Sequence, residues 1–246
     1  MPRPRRGFIP DLSVHVIQRG HNRTSVFRDD ADYLRFLAIL RDVAPERGIR
    51  VHGYVLMTTH IHLIVTPNHK KALPETMRSL GSRYVPYYNR KYDCIGTLWT
   101  GRYRALLIED EQYWWTCLRY IEQNPVRADM VRTPDCYRWS SYHAHALGQW
   151  PPWLTPHPIY TALGGTTQER QARYRRLCGE PVSDDDLSLL SVRHGSDPGP
   201  TPVRPSRESS PTHGSDKTQS DPSSSPAPRR SVAASSSPAR GDTSRG

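Results

Sequence analysis

Two short segments hold residue types that could do chemistry together. In HIHLIV (60–65), His60 and His62 sit two apart in a β-branched run, and side chains at i and i+2 of a strand share one face. In LRYIEQN (118–124), Tyr120 precedes Asn124 by one helical turn, which again puts both on one face. Two neutral imidazoles and an amide oxygen can hold a divalent ion, and a phenol can supply a nucleophile. That is equipment for cutting a phosphodiester. A phenol titrates near a pKa of about 10 and attacks poorly until its target is polarised or its proton is taken. An ion on His60, His62 and Asn124 would polarise a phosphate oxygen as a Lewis acid. Attack would leave a phosphotyrosine and a free hydroxyl. Because the link retains the energy of the diester, the reaction can reverse onto another strand without a nucleotide cofactor.

The surrounding elements must position these groups. SVHVIQRG (13–20) reads as a strand. Asp29 and Asp30 offer an N-cap to an amphipathic helix carrying Tyr33, Leu34, Leu37, Leu40 and Ala44 and stopping near Gly48. Two β-rich runs, 49–57 and 60–66, flank the short turn Thr58-Thr59 and pair as a hairpin. On the second run Ile61, Leu63 and Val65 fill a core face, leaving His60, His62 and Ile64 on a face that a helix must cover or a site must open. A second helix runs from about Leu73 to Lys91, with Met77, Leu80, Tyr84 and Tyr88 at helical spacing. Residues 98–108 form a strand region interrupted by Gly101. Asp110 caps a third helix with the apolar stripe Trp114, Cys117, Leu118 and Ile121, ending where Pro125 disfavours helix in the residue before it. Tyr113, Tyr120 and Asn124 fall on one flank of that stripe, with a half-covered phenol facing a cleft; Glu122 and Gln123 fall elsewhere. The order β, α, β, β, α, β, α argues for an α+β fold, a ferredoxin-like antiparallel sheet with helices packed on it.

Charge narrows the partners. The formal net charge is +10, and residues 1–180 hold 26 Lys and Arg against 16 Asp and Glu, while 181–246 hold 8 of each. A basic domain of this kind attracts polyanions, nucleic acid above all. Lysine occurs only at Lys70, Lys71, Lys91 and Lys217, and guanidinium forks suit phosphates and base edges. Arg102, Arg104, Arg119 and Arg127, with Arg19 and Arg23 from the N-terminal stretch, are the candidate DNA-binding residues. Four widely spaced cysteines form no CxxC pair, which excludes a zinc ribbon or disulfide framework and fits a reducing compartment. With no signal peptide or membrane-length apolar run, the expected location is cytoplasmic. From Ser183 the composition turns to Ser, Pro, Gly, Asp and Arg, a disordered tail at 183–246. Residues 151–182 form a Pro-rich crossing and a basic helix that would lie across the core or its ligand.

The segments THIHLIV, GTLWTGRYRA, LRYIEQNPVRADMV and WSSYHAH, in this order and spacing, resemble the REP-associated tyrosine transposases, relatives of the single-tyrosine HUH transposases. The resemblance runs from about residue 8 to 150, the expected catalytic domain. It assigns the histidine pair to His60 and His62, the nucleophile to Tyr120 and the polar ligand one turn later to Asn124. It implies a ferredoxin-like core, a magnesium or manganese ion, hairpin-forming single-stranded DNA as substrate, and a 5′-phosphotyrosine intermediate. Monomers and homodimers both fit.

Tyr84, Tyr87 and Tyr88 compete with Tyr120, although Pro86 breaks the regularity of their segment and no amide follows Tyr84 by one turn. His52 and His69 read as structural or surface groups. Two rival functions stand beside strand transfer: a domesticated, non-catalytic DNA-binding regulator, and a phosphodiesterase that uses water and forms no covalent adduct.

Overall fold

Four alternating segments hydrogen-bond into one antiparallel sheet in the order β2-β3-β1-β4, with β1 at Val14–Arg19, β2 at Ile49–Met57, β3 at His60–Pro67 and β4 at Arg104–Leu107. The structure is a computed structural model and describes residues 9–180 together with Val182 and Leu190. Helix α1 (Asp30–Glu46) joins β1 to β2, and α2 (Ala72–Tyr92) joins β3 to β4. This βαββαβ order, with β1 and β3 central, is the expected ferredoxin-like fold. Among the described residues, no helix is long and apolar enough to cross a membrane.

Register sorts the side chains. Arg19 faces His60, Ile17 faces His62 and His15 faces Ile64, so these six share one face of the sheet. On the other face, Phe36 of α1, Met77 and Leu80 of α2, and Ile61 close around one small space. Every residue of β3 is buried, because a third helix, α3 (Glu111–Arg127), covers the histidine face. Gly53 permits that approach: a Cβ there would stand 2.8 Å from Leu118 Cδ1 and 3.3 Å from Ile121 Cδ1. Burial of Leu118 and Ile121, each fully enclosed, contributes roughly 1.5–3 kcal/mol apiece to holding α3 down.

Caps form where acidic residues precede the helices. Asp29 accepts from the Asp32 amide in a capping box, and Asp110 accepts from the Tyr113 amide at 2.7 Å. The buried stripe of α1 is Tyr33, Phe36, Ile39, Leu40, Val43 and Ala44, whereas Leu34 is 56% exposed. The stripe is rotated from the expected one because Phe36, not Leu34, meets Phe27 and Tyr84. Of the strand region 98–108 only four residues pair as β4; Trp99 makes a single bridge to Gly20.

Neither Pro86 nor Pro125 ends its helix. Pro86 lies within a continuous α2, and α3 runs two residues past Pro125. Pro125 forgoes the hydrogen bond to the Ile121 carbonyl, a local loss outweighed by packing on all sides of α3. That packing comes from the C-terminal third. Helices α4 (Tyr142–Leu147), α5 (Pro158–Thr161) and α6 (Thr167–Gly179) follow, and α6 lies against α3 and α4. The basic helix therefore covers the core. Apart from Leu190, the expected tail lies outside the described residues.

Candidate active site

Sheet and α3 meet around His62, a fully buried side chain. Its Nδ1 stands 3.0 Å from His15 Nε2, and its Nε2 stands 3.5 Å from the Asn124 amide nitrogen. Asn124 is 1% exposed, and among the described residues its Oδ1 has no hydrogen-bond partner. Such an orphaned buried oxygen is uncommon and needs a reason. His60, whose ring centroid is 5.0 Å from that of His62, approaches the Thr59 hydroxyl through Nδ1 at 3.1 Å. Burial, reinforced by the Arg19 charge, pushes the His60 pKa down to about 3, so its ring is a neutral lone-pair donor near pH 7.

The donor set suits a hard or borderline divalent cation: two neutral imidazoles and an amide oxygen, with no hydrogen aimed at that oxygen. Among the described residues no three His, Cys, Asp or Glu side chains gather into a metal cluster. A cation here would draw its remaining ligands from substrate or water, which is the open coordination a catalytic site needs.

Tyr120 lies one turn before Asn124, with its ring centroid 5.7 Å from His62 and 6.4 Å from His15. It is 5% exposed rather than half covered, because the Arg127 guanidinium, two turns along the same helix, sits 4.9 Å over its ring. One Arg127 nitrogen, Nη1, is buried and has no hydrogen-bond partner among the described residues.

Residues 8–124 match the family described as IS200-like transposases. Over these residues the chain is similar to that family. The ISDra2 transposase TnpA of Deinococcus radiodurans is 29% identical over 112 residues, which cover 43% of this chain and 79% of the relative. A solved REP-associated tyrosine transposase, bound to a REP hairpin, superposes with a TM-score of 0.52 at 17% identity, covering 64% of this chain and 93% of that one, and shares the fold.

In this transposase the arginines divide into two groups. Arg19 is an electrostatic neighbour of Tyr120, Arg104 and Arg23. Burial chiefly lowers the Arg19 pKa, Arg104 and Arg23 push the same way, and Tyr120 opposes them. Arg127 joins them through its stack on Tyr120. Arg119 turns away and donates to the Glu180 carbonyl at 2.7 Å. Arg102 is exposed in the loop before β4.

The competing tyrosines do not reach this site. Tyr84 and Tyr88 donate to the Val26 and Ser25 carbonyls at 2.6 Å each, and Tyr87 donates to Asp32 at 3.0 Å. All three belong to α2, which packs with α1 on the other face of the sheet. His52 is a buried structural group, bonded to Thr66 and the Thr155 carbonyl, and His69 accepts from the Lys71 amide.

Sequence reasoning passed over His15. The signal was its strand phase with Arg19, but only the register of β1 against β3 brings it beside His62. Glu122 was also passed over. It is fully buried, accepting from Ser141, from His145 Nδ1 at 2.8 Å and from the Tyr174 hydroxyl at 2.5 Å.

Proposed function

We propose that this transposase cuts and rejoins single-stranded DNA carrying hairpin-forming palindromes, with Tyr120 as nucleophile and His60, His62 and Asn124 as ligands of a magnesium or manganese ion. The observation that carries the reading is the Asn124 oxygen, unpartnered among the described residues, on a buried amide whose nitrogen stands 3.5 Å from His62 Nε2, one helical turn from a tyrosine. The REP hairpin bound by the structural relative supports hairpin DNA as substrate.

When bound, the ion would withdraw electron density from a phosphate oxygen. The Tyr120 oxygen attacks phosphorus, the bond from phosphorus to the 3′ oxygen breaks, and a 5′-phosphotyrosine and a 3′-hydroxyl result. The phenolic proton leaves to solvent and the departing oxygen takes one up. Arg127, with its unpartnered Nη1, and Arg19 with Arg104 supply positive charge for the scissile phosphate and its neighbours. A new 3′-hydroxyl attacking the phosphotyrosine reverses the step and joins strands.

The test is incubation of the full-length protein with labelled single-stranded DNA bearing hairpin-forming palindromes, with Mn²⁺, followed by denaturing electrophoresis. Label retained on the parent protein and absent from Tyr120→Phe is the expected result. An adduct that persists in Tyr120→Phe overturns the assignment. A second reading, a DNA-binding regulator without turnover, draws on the 5% exposure of Tyr120. It predicts palindrome binding with no adduct under any divalent ion, whereas cutting without an adduct would point to water as nucleophile.

A further inference from the structure

We infer that His15 is a positioning residue that fixes the His62 ring as an Nε2 ligand, an inference that rests on the metal reading above. The two imidazoles face each other nitrogen to nitrogen at 3.0 Å, so one proton lies between them. Both rings are fully buried. The other ring nitrogen of His62, Nε2, faces the amide nitrogen of Asn124, which can only donate. At 3.5 Å that contact is long, and an amide nitrogen there is met by a lone pair on Nε2. Neutral His62 then bears its proton on Nδ1 and donates to His15 Nε2, and His15 keeps its own proton on Nδ1. A proton on His15 Nε2 would force the His62 proton onto Nε2, against the hydrogens of the amide, and would leave no lone pair for a cation.

The placement follows from the sheet. His15 pairs with Ile64, so it is the diagonal cross-strand neighbour of His62 on the same face. The His15 ring also meets Tyr120 at a centroid distance of 6.4 Å, in an edge arrangement. A ligand histidine whose second nitrogen is held by an acceptor has both its tautomer and its ring orientation set before the metal arrives. His60 has only the adjacent Thr59 hydroxyl at its Nδ1, which makes His62 the more rigidly held of the two.

The test has two parts, neither reading turnover. Long-range ¹H–¹⁵N spectra of histidine-labelled full-length protein report tautomers directly. His62 protonated on Nδ1 is expected, and His62 protonated on Nε2 overturns the inference. Mn²⁺ affinity, followed by the electron paramagnetic resonance of free Mn²⁺, is then compared among the parent, His15→Gln and His15→Leu. Gln places an amide oxygen about where Nε2 stands and can accept from His62; Leu cannot. Binding about 10–100-fold weaker in His15→Leu, with His15→Gln within a few fold of the parent, is expected. Parent-like affinity in His15→Leu overturns the inference while leaving the metal reading intact. A parent protein that binds no Mn²⁺ overturns both. The tautomer measurement uses the unmutated chain and decides the matter even if His15→Leu fails to fold.

Discussion

The two polar flanks of α3 are built to opposite rules. On one, both oxygens of the buried Glu122 carboxylate are engaged, by the Ser141 hydroxyl, His145 Nδ1 and the Tyr174 hydroxyl. On the other, Asn124 is about as buried and its oxygen has no partner among the described residues, and Arg127 Nη1 is left the same way. A buried polar atom without a hydrogen bond costs roughly 1–3 kcal/mol, so folding alone would favour an apolar residue at Asn124. The satisfied flank ties α3 to α4 and α6. The unsatisfied flank holds capacity in reserve for something that arrives later. The contrast is between oxygens: those of Glu122 are engaged, although His145 Nε2 beside them has no partner among the described residues, whereas the Asn124 oxygen is left open on the flank that faces the histidines.

The largest effect expected from breaking this contrast is at Glu122. Truncation in Glu122→Ala takes the carboxylate from the Tyr174 hydroxyl and leaves Ser141 and His145 only their backbone acceptors, the Tyr54 and Ser141 carbonyls, and should cost about 3–5 kcal/mol. In a domain of this size that lowers the midpoint of thermal unfolding by on the order of 10 °C. Calorimetry on the full-length chain checks it, and a midpoint within 2 °C of the parent, roughly 0.5–1 kcal/mol, would mean the three contacts contribute little.

Asn124→Ala should do the reverse. It removes an orphaned atom, so stability should stay within about 1 kcal/mol of the parent. Mn²⁺ affinity should fall about 10–100-fold, as for loss of a group at a metal site. Adduct yield should fall with it, read on the same palindromic DNA. A variant that binds Mn²⁺ like the parent would remove Asn124 from the ligand set and leave its empty oxygen unexplained.

Gly53→Ala tests how the two flanks are held at the sheet. The added Cβ would meet Leu118 Cδ1 at 2.8 Å, so α3 must shift outward or Leu118 must change rotamer. A loss of about 1–3 kcal/mol is expected, as for overpacking elsewhere. Because Asn124 rides on the same helix, Mn²⁺ affinity should weaken too. Lost stability with unchanged affinity would show that the rotamer change absorbs the strain.

Much of this arrangement was legible in the chain. The hairpin of β2 and β3 follows from two β-branched runs around a polar turn, and the shared face of His60 and His62 from a strand period of two. The pairing of Tyr120 with Asn124 follows from helical spacing. What escaped depends on contacts distant in sequence. Pro125 reads as a helix stop until α6, some forty residues on, is known to cover α3. Glu122 falls off the Tyr120 flank and carries no other signal in the chain, because its donors come from residues 141–174. His15 needed the register of β1 against β3, which alternation alone does not set. Leu34 was misplaced because the α1 stripe rotates to bring Phe36 onto Phe27 and Tyr84.

The smallest expected effect concerns a second saturated cluster, behind the N-terminal half of α3, where His157 stacks on Trp114 at 4.7 Å. The Ile159 amide donates to His157 Nδ1, so His157 Nε2 donates to the Ser13 hydroxyl at 3.1 Å. Ser13 in turn bonds Thr66 at 2.9 Å, and Thr66 bonds His52 Nε2 at 2.9 Å. The His52 Nδ1 proton goes to the Thr155 carbonyl at 2.8 Å. Every member is used once in a consistent direction, which requires both histidines neutral. Burial lowers His52 to about 3 and His157 to about 4. In the unfolded chain each titrates near 6.5, so below that pH the unfolded state binds the extra protons. The stability contributed by the neutral rings is complete above about pH 7 and is lost as pH falls from 6.5 toward 4. The slope is at most about 1.4 kcal/mol per pH unit for His52, and smaller for the half-buried His157, where solvent screens the charge. Unfolding midpoints measured from pH 8 to pH 4.5 should stay level and then decline, and His52→Gln should decline less steeply. An equal decline in that variant would place the acid sensitivity in other groups and separate this cluster from the saturated flank it adjoins.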